Sequence, residues 1–230
     1  MTADYDEYLR TEWVLFSSDS TRAEVVLEAT RDLSISRVLD IGCGAGQELI
    51  PFASRAFCIG VDSAVDAGLV GRQLFSTYQP EAKVKFARAT AEELPFHSNS
   101  FDAIVCRLAL PYTDNKRALS EMARVLRPGG VLFLKIHHVR YYLSKGWQGV
   151  VRGQILSLVH ALRVLAAGAI YHATGKQSRT KLISPETFQT RWLLEQELSK
   201  LNMFIDRELP GSNALTPSYL IRSRSLVSIT

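Results

Sequence analysis

Val38-Leu39-Asp40-Ile41-Gly42-Cys43-Gly44-Ala45-Gly46-Gln47 is an apolar strand end that runs into three alternate glycines. Val38, Leu39 and Ile41 fit a strand buried on both faces, and the glycines form a turn whose backbone approaches a ligand closely because no Cβ intervenes. Residues 48–53 are expected to open a helix. A strand, a glycine turn and a helix N-terminus present backbone N–H groups at the carboxyl edge of a parallel sheet, where open α/β sheets bind nucleosides.

The residue after the third glycine separates two kinds of nucleoside site. A dinucleotide fingerprint counted from Gly42 wants glycine or alanine at position 47, where this chain has Gln47. Asp40 followed by G-x-G-x-G is instead the form of the S-adenosylmethionine-dependent methyltransferases, which this stretch resembles. Asp62 supports a nucleoside ligand: it ends a second apolar run, residues 57–61, and lies 20 positions after Gly42. An acid there accepts hydrogen bonds from both ribose hydroxyls.

Residues 91–136 extend the resemblance. They read A-E-E-L-P-F-H-S-N-S-F-D-A-I-V-C-R-L-A-L-P-Y-T-D-N-K-R-A-L-S-E-M-A-R-V-L-R-P-G-G-V-L-F-L-K-I. This run is similar to the methyltransferases of quinone biosynthesis. Residues 101–106 read as a fourth strand. Residues 116–126 read as a helix with Leu119, Met122, Ala123 and Leu126 on one face. Arg127-Pro128-Gly129-Gly130 stops that helix and leads into a fifth strand, residues 131–136.

The implied fold is α/β: a doubly wound, mostly parallel, seven-stranded Rossmann-like sheet with an antiparallel last strand and a helical cap insertion. One domain spans 1–230. It divides into N-terminal helices (1–35), a cofactor-binding core (36–136), the cap insertion (137–182) and a C-terminal helix with a hairpin (183–230). Within the first part, helices are expected over 4–16 and 20–32, with Tyr5, Tyr8 or Trp13 over the ligand or simply covering the sheet. A helix over 63–78 and a third strand over 84–87 complete the core. In the insertion, an apolar pattern from 150 to 171 predicts one long helix, read first as a cap over the cleft and second as a membrane contact. A proline-initiated helix over 185–201 and strands over 203–208 and 219–227 end the chain, joined through residues 213–217.

The resemblance implies S-adenosyl-L-methionine as cofactor. It would lie across the turn at Gly42, Cys43, Gly44 and Gly46 with Asp62 on its ribose and Thr90 and the Ala91 N–H at its adenine, and Asp40, Ser63, Glu92 and Arg107 are assigned to the cofactor as well. Thr90 stands where the family usually carries an aspartate, so its hydroxyl accepts one bond in the carboxylate's place. Arg107 and Pro111-Tyr112 replace the polar residues that usually follow the fourth strand. His137, His138 and Tyr112 are the catalytic candidates, with either histidine a base at the carboxyl edge of the sheet.

Composition narrows the partners. A net charge of +4 with 22% charged residues is a mild basic excess, too small to imply nucleic-acid binding by itself, and tilts the expectation toward acidic partners. The loop after the fourth strand lacks the proline-aromatic motif of nucleobase amine methylation. A small-molecule acceptor methylated at oxygen or carbon is expected. Arg107, Arg140, Lys145, Arg152 and Arg163 suggest that it carries a carboxylate or phosphate. Cys43, Cys58 and Cys106 show no C-x-x-C spacing, so neither metal ligands nor disulfides are read, and the acidic N-terminus predicts a cytoplasmic protein without a secretory signal. A noncatalytic binding protein retaining this fold and a nicotinamide-dependent oxidoreductase are the alternatives.

Overall fold

The computed structural model describes residues 3–177 and 186–224. Its strands are β1 (Arg37–Ile41), β2 (Phe57–Asp62), β3 (Val84–Arg88), β4 (Phe101–Arg107), β5 (Leu126–Lys135), β6 (Met203–Glu208) and β7 (Ser218–Ser223). They form one seven-stranded sheet in the order 3-2-1-4-5-7-6. Strands β1 to β5 pair in parallel, and β7 runs antiparallel to both β5 and β6. The doubly wound sheet with a reversed last strand is therefore present as expected.

Alternation along the strands divides the core into two layers. Leu39, Ile41, Ile104, Cys106, Leu132 and Leu134 enter the layer covered by α4 (Asn115–Val125) and α7 (Arg191–Lys200). Val38, Cys58, Ala103, Val105, Val131 and Phe133 enter the other, beneath α1 (Ala3–Ser18), α2 (Ser20–Ala29) and α3 (Val65–Tyr78). Each such Leu, Ile or Phe is worth about 1.5–3 kcal/mol over its exposed state. The strand order reverses between β1 and β4, and the crevice that opens at their carboxyl ends is the functional cleft.

Several local expectations differ from the structure. Residues 48–53 form a 3-10 turn at Gln47–Leu49 rather than an α-helix. Further three-residue bonds follow it, such as Phe52 N to Leu49 O, and Pro51 has no N–H to complete an α-helical ladder. The pattern over 150–171 is two helices, α5 (Val139–Val151) and α6 (Ile155–Thr174), broken at Gly153 with φ +66°.

The last helix starts at Arg191, where the Thr190 hydroxyl accepts from Leu193 N. Residues 186–190 before it are extended, because their backbone is taken up elsewhere: Thr187 N donates to Pro111 O and Gln189 N to His137 O. Pro185, its expected start, lies outside the described residues. The strand expected over 219–227 is Ser218–Ser223, and residues beyond 224 lie outside the description. Asn213 organises the turn before it, its Oδ1 accepting from Leu215 N and Thr216 N.

Candidate active site

The glycine turn is fastened to the end of β2. Gly42 N and Cys43 N both donate to Val61 O, at 2.9 and 3.1 Å. Asp62 closes the arrangement, its Oδ2 accepting from Gly44 N at 3.1 Å and its Oδ1 from Ala64 N at 2.9 Å. Each carboxylate oxygen keeps a further lone pair for a ligand hydroxyl. Gly42 has φ +68°, and a Cβ there would lie 2.4 Å from Ala109 Cβ. Only glycine lets the two loops meet at this distance.

Between these loops lies a cleft of about 660 Å³. Asp40 and Gln47 line it, and the buried Oδ2 of one and Oε1 of the other lack hydrogen-bond partners among the described residues. Burial pushes the Asp40 carboxyl well above its ordinary range, helped by the charges of Glu48 and Asp62. Two orphan acceptors beside the glycine turn suit a ligand with an ammonium donor. S-adenosylmethionine carries that group on the α-carbon of its methionine end, so the residues present fit the cofactor.

The nucleoside end of the cleft has Ser63, Ala89, Thr90, Ala91 and Glu92 on its wall. Glu92 Oε1 accepts from Asp114 N and so ties this loop to the start of α4. Tyr5, Tyr8, Leu9 and Glu12 of α1 cover the same space, whereas Trp13 packs edge-on against Phe75 in the core. The N-terminal helix therefore both covers the sheet and walls the cleft. Burial raises the Tyr5 hydroxyl to about 12, keeping it a hydrogen-bond donor.

At the opposite end the chain brings together groups distant in sequence. The buried His137 lines the cleft, and its ring stacks on Tyr141 with centroids 4.2 Å apart. His137 Nδ1 lies 3.1 Å from the Tyr142 hydroxyl, which donates to Glu186 Oε1. That bond uses the only Tyr142 proton, so Nδ1 is the donor and Nε2 holds the free lone pair. Glu186 Oε2 also meets His160 Nε2 of α6 at 3.1 Å. Burial, with Lys145 and Lys135 nearby, pushes the His137 pKa down to about 4. The imidazole is neutral at physiological pH.

All the assigned cofactor residues line this cleft except Gly46. Gly46 instead accommodates Phe86, whose ring would sit 2.8 Å from an added Cβ. Tyr112 and His137 reach the cleft. His138 does not line it: its Nδ1 accepts from Arg140 N and caps α5. Arg107 is turned toward Glu48, 3.1 Å away, and Glu48 is shared with Arg22. Arg107 is the only Lys or Arg among the described lining residues, against five carboxyl groups, Glu12, Asp40, Glu48, Asp62 and Glu92. Of the cations expected around the acceptor, Arg107 lines the cleft and Lys145 lies over the Tyr141 ring on its wall, whereas Arg140, Arg152 and Arg163 do not line it.

Sequence reading missed Glu186, Tyr142 and His160. One signal was available: Glu186 is the first acid after Glu121, and an isolated carboxylate in so apolar a stretch points to a paired, buried role. It also missed Leu108, whose φ of +59° is strained for a bulky residue and turns the chain along the cleft wall after β4. Among the described residues no three His, Cys, Asp or Glu side chains form a metal-binding group.

A family profile described as a methyltransferase domain matches residues 38–130. The uncharacterized methyltransferase YcgJ of Bacillus subtilis is 40% identical over 104 residues, covering 44% of this chain and 41% of YcgJ. The ubiquinone/menaquinone biosynthesis C-methyltransferase UbiE of Idiomarina loihiensis is 40% identical over 108 residues, covering 43% and 42%. The chain thus spans about two fifths of the length of these relatives. The crystal structure of YcgJ superposes with a TM-score of 0.61 at 20% identity, over 90% of this chain and 99% of that one. The magnesium protoporphyrin IX methyltransferase of Synechocystis with bound SAH gives 0.60 at 15%, over 96% and 83%. These structures share the fold. Residues 38–130 thus match a methyltransferase-domain profile, and over that stretch the chain is similar to YcgJ and to the quinone-biosynthesis C-methyltransferase UbiE.

Proposed function

We propose that the protein transfers a methyl group from S-adenosylmethionine to a neutral, hydroxylated aromatic small molecule, with His137 as the base. The observation that carries this reading is the bonded chain His137–Tyr142–Glu186 at the end of the cleft, opposite the nucleoside wall. When bound, S-adenosylmethionine supplies the methyl group together with its own leaving group. Asp40 and Gln47 are suited to its ammonium, Asp62 to the ribose hydroxyls, and the turn at Gly42 to Gly44 to its backbone-facing edge.

His137 Nε2 takes the proton of the acceptor hydroxyl as the new bond to carbon forms. Its Nδ1 proton is already directed through Tyr142 toward Glu186, which stabilises the positive charge that develops on the ring. In this setting the His137 pKa is near 4, so the ring is neutral and its Nε2 free to accept the proton at physiological pH. Tyr112 and Tyr141 supply an aromatic wall at this end, and the excess of carboxyl groups in the cleft disfavours an anionic acceptor. A phenolate is nucleophilic at oxygen and at its ortho carbon, so the same base serves either outcome.

The test is turnover of a panel of neutral hydroxylated aromatics by the wild type and by His137→Gln. The variant is expected to be slower by about 10² to 10⁴ with nearly unchanged cofactor affinity. Equal turnover by the two proteins contradicts the assignment.

A further inference from the structure

The α5–α6 hairpin is built inside out for a helix pair exposed only to water. Small residues occupy its inner seam. A Cβ added at Gly149 would lie 3.0 Å from Leu158 N, and one at Gly146 would lie 3.4 Å from Ala161 Cβ. Large apolar side chains point outward at its tip: Trp147, Val150, Val151, Ile155, Leu156 and Leu162 are all exposed, Leu156 at 86%. A contiguous patch of this kind marks a docking surface.

Its charge is one-sided as well. From Arg140 to Lys176 there are five Lys or Arg and no Asp or Glu, while the rest of the chain has 22 Lys and Arg against 23 Asp and Glu. The basic excess of the protein therefore resides in this hairpin. Arg140 and Arg152 are exposed beside the patch, and Lys145 lies over the Tyr141 ring. An exposed tryptophan, aliphatic side chains and the exposed cations Arg140 and Arg152 together match an anionic lipid surface, where the rings enter the interface and the cations meet headgroups. A second copy of the chain fits less well, because a two-fold contact would set like charges against one another.

The helix lies on such a surface rather than crossing it. Among the described residues α6 is the one helix long and apolar enough to span a bilayer. Its other face is committed inward: Ala161, Val164, Ala167 and Gly168 are buried, and His160 bonds Glu186 in the site. Crossing would break that packing and the His160–Glu186 contact. We infer that the exposed face of the α5–α6 hairpin docks the protein on anionic membranes, with the His137 end of the cleft facing the lipid. Tyr141, in the first turn of α5, lines the cleft and connects the two regions. The inference rests on the methyl-transfer reading only for what the surface would deliver, an acceptor held in the lipid.

The test is flotation of the full chain with vesicles of phosphatidylcholine alone or mixed with phosphatidylglycerol, without cofactor or acceptor. The wild type is expected to float with the mixed vesicles only, and the emission of Trp147 to shift to the blue. Each cation near an anionic surface contributes about fivefold in affinity. The pair Arg140→Glu and Arg152→Glu should therefore weaken binding by about 25-fold or more, and the pair Trp147→Ser and Leu156→Ser should abolish the shift. Unchanged calorimetric affinity for S-adenosylmethionine shows that the variants are folded. Failure to float, equal binding to both vesicle types, or a wild-type dimer that the variants dissolve would overturn the inference. Because vesicle binding is read without turnover, its failure is distinct from failure of the methyl-transfer reading.

Discussion

Burial and the Glu48 and Asp62 charges raise the Asp40 pKa in the free protein. A bound ammonium favours the carboxylate, so cofactor binding is expected to release a proton. Calorimetry in buffers of different ionisation enthalpy should show that release in the wild type and none in Asp40→Asn; buffer-independent heats in the wild type would contradict it. His137 is the opposite case. Its folded pKa of about 4 lies below the ordinary 6.5, so the stability due to its neutral form is present above 6.5 and lost as pH falls toward 4. Turnover should accordingly stay level from neutrality down to about pH 5 and fall through about pH 4. An acid limb near 6.5 would remove His137 from the role. Tyr142→Phe breaks the link to Glu186 while keeping the ring. It should lower the rate and leave cofactor affinity unchanged, which separates a positioning residue from a binding one.

The elements that build the cofactor end were legible because their signals are local. Alternating apolar residues ending in glycines mark β1, and a spaced acid marks the end of β2. The Arg-Pro-Gly-Gly run marks the passage from α4 to β5, although β5 begins earlier, at Leu126. The acceptor end was not legible, because Glu186 meets Tyr142 across 44 positions and through a segment that its proline made look helical. Nothing in local propensity says that residues 186–190 are extended; long-range bonds to Pro111 and His137 decide it. Gly168 tests the packing of that segment. A Cβ there would lie 2.3 Å from the Phe188 ring, so Gly168→Ala should displace Phe188 and cost about 1–3 kcal/mol. Thermal melting should show the loss, and turnover should fall more than cofactor affinity does. A fully active, equally stable variant would mean that the segment tolerates the shift.

On the scale of the molecule, two polarities coincide. The sheet's order reversal fixes where the cofactor cleft opens, and the basic excess lies in the hairpin beyond its far end. Of the cations that suggested an acidic acceptor, Arg107 is bound to Glu48 and Arg140 and Arg152 are exposed outside the cleft, while Lys145 stands over the Tyr141 ring. Salt should therefore weaken vesicle binding far more than turnover of a soluble neutral acceptor. Titration calorimetry of S-adenosylmethionine is the most direct measurement of the cofactor site. One site per chain is expected, with Asp62→Ala weaker by about tenfold to a hundredfold, the worth of roughly 1.5–3 kcal/mol of hydrogen bonding to a charged acceptor, and His137→Gln unchanged. No binding by the wild type, or equal affinity in Asp62→Ala, would contradict it.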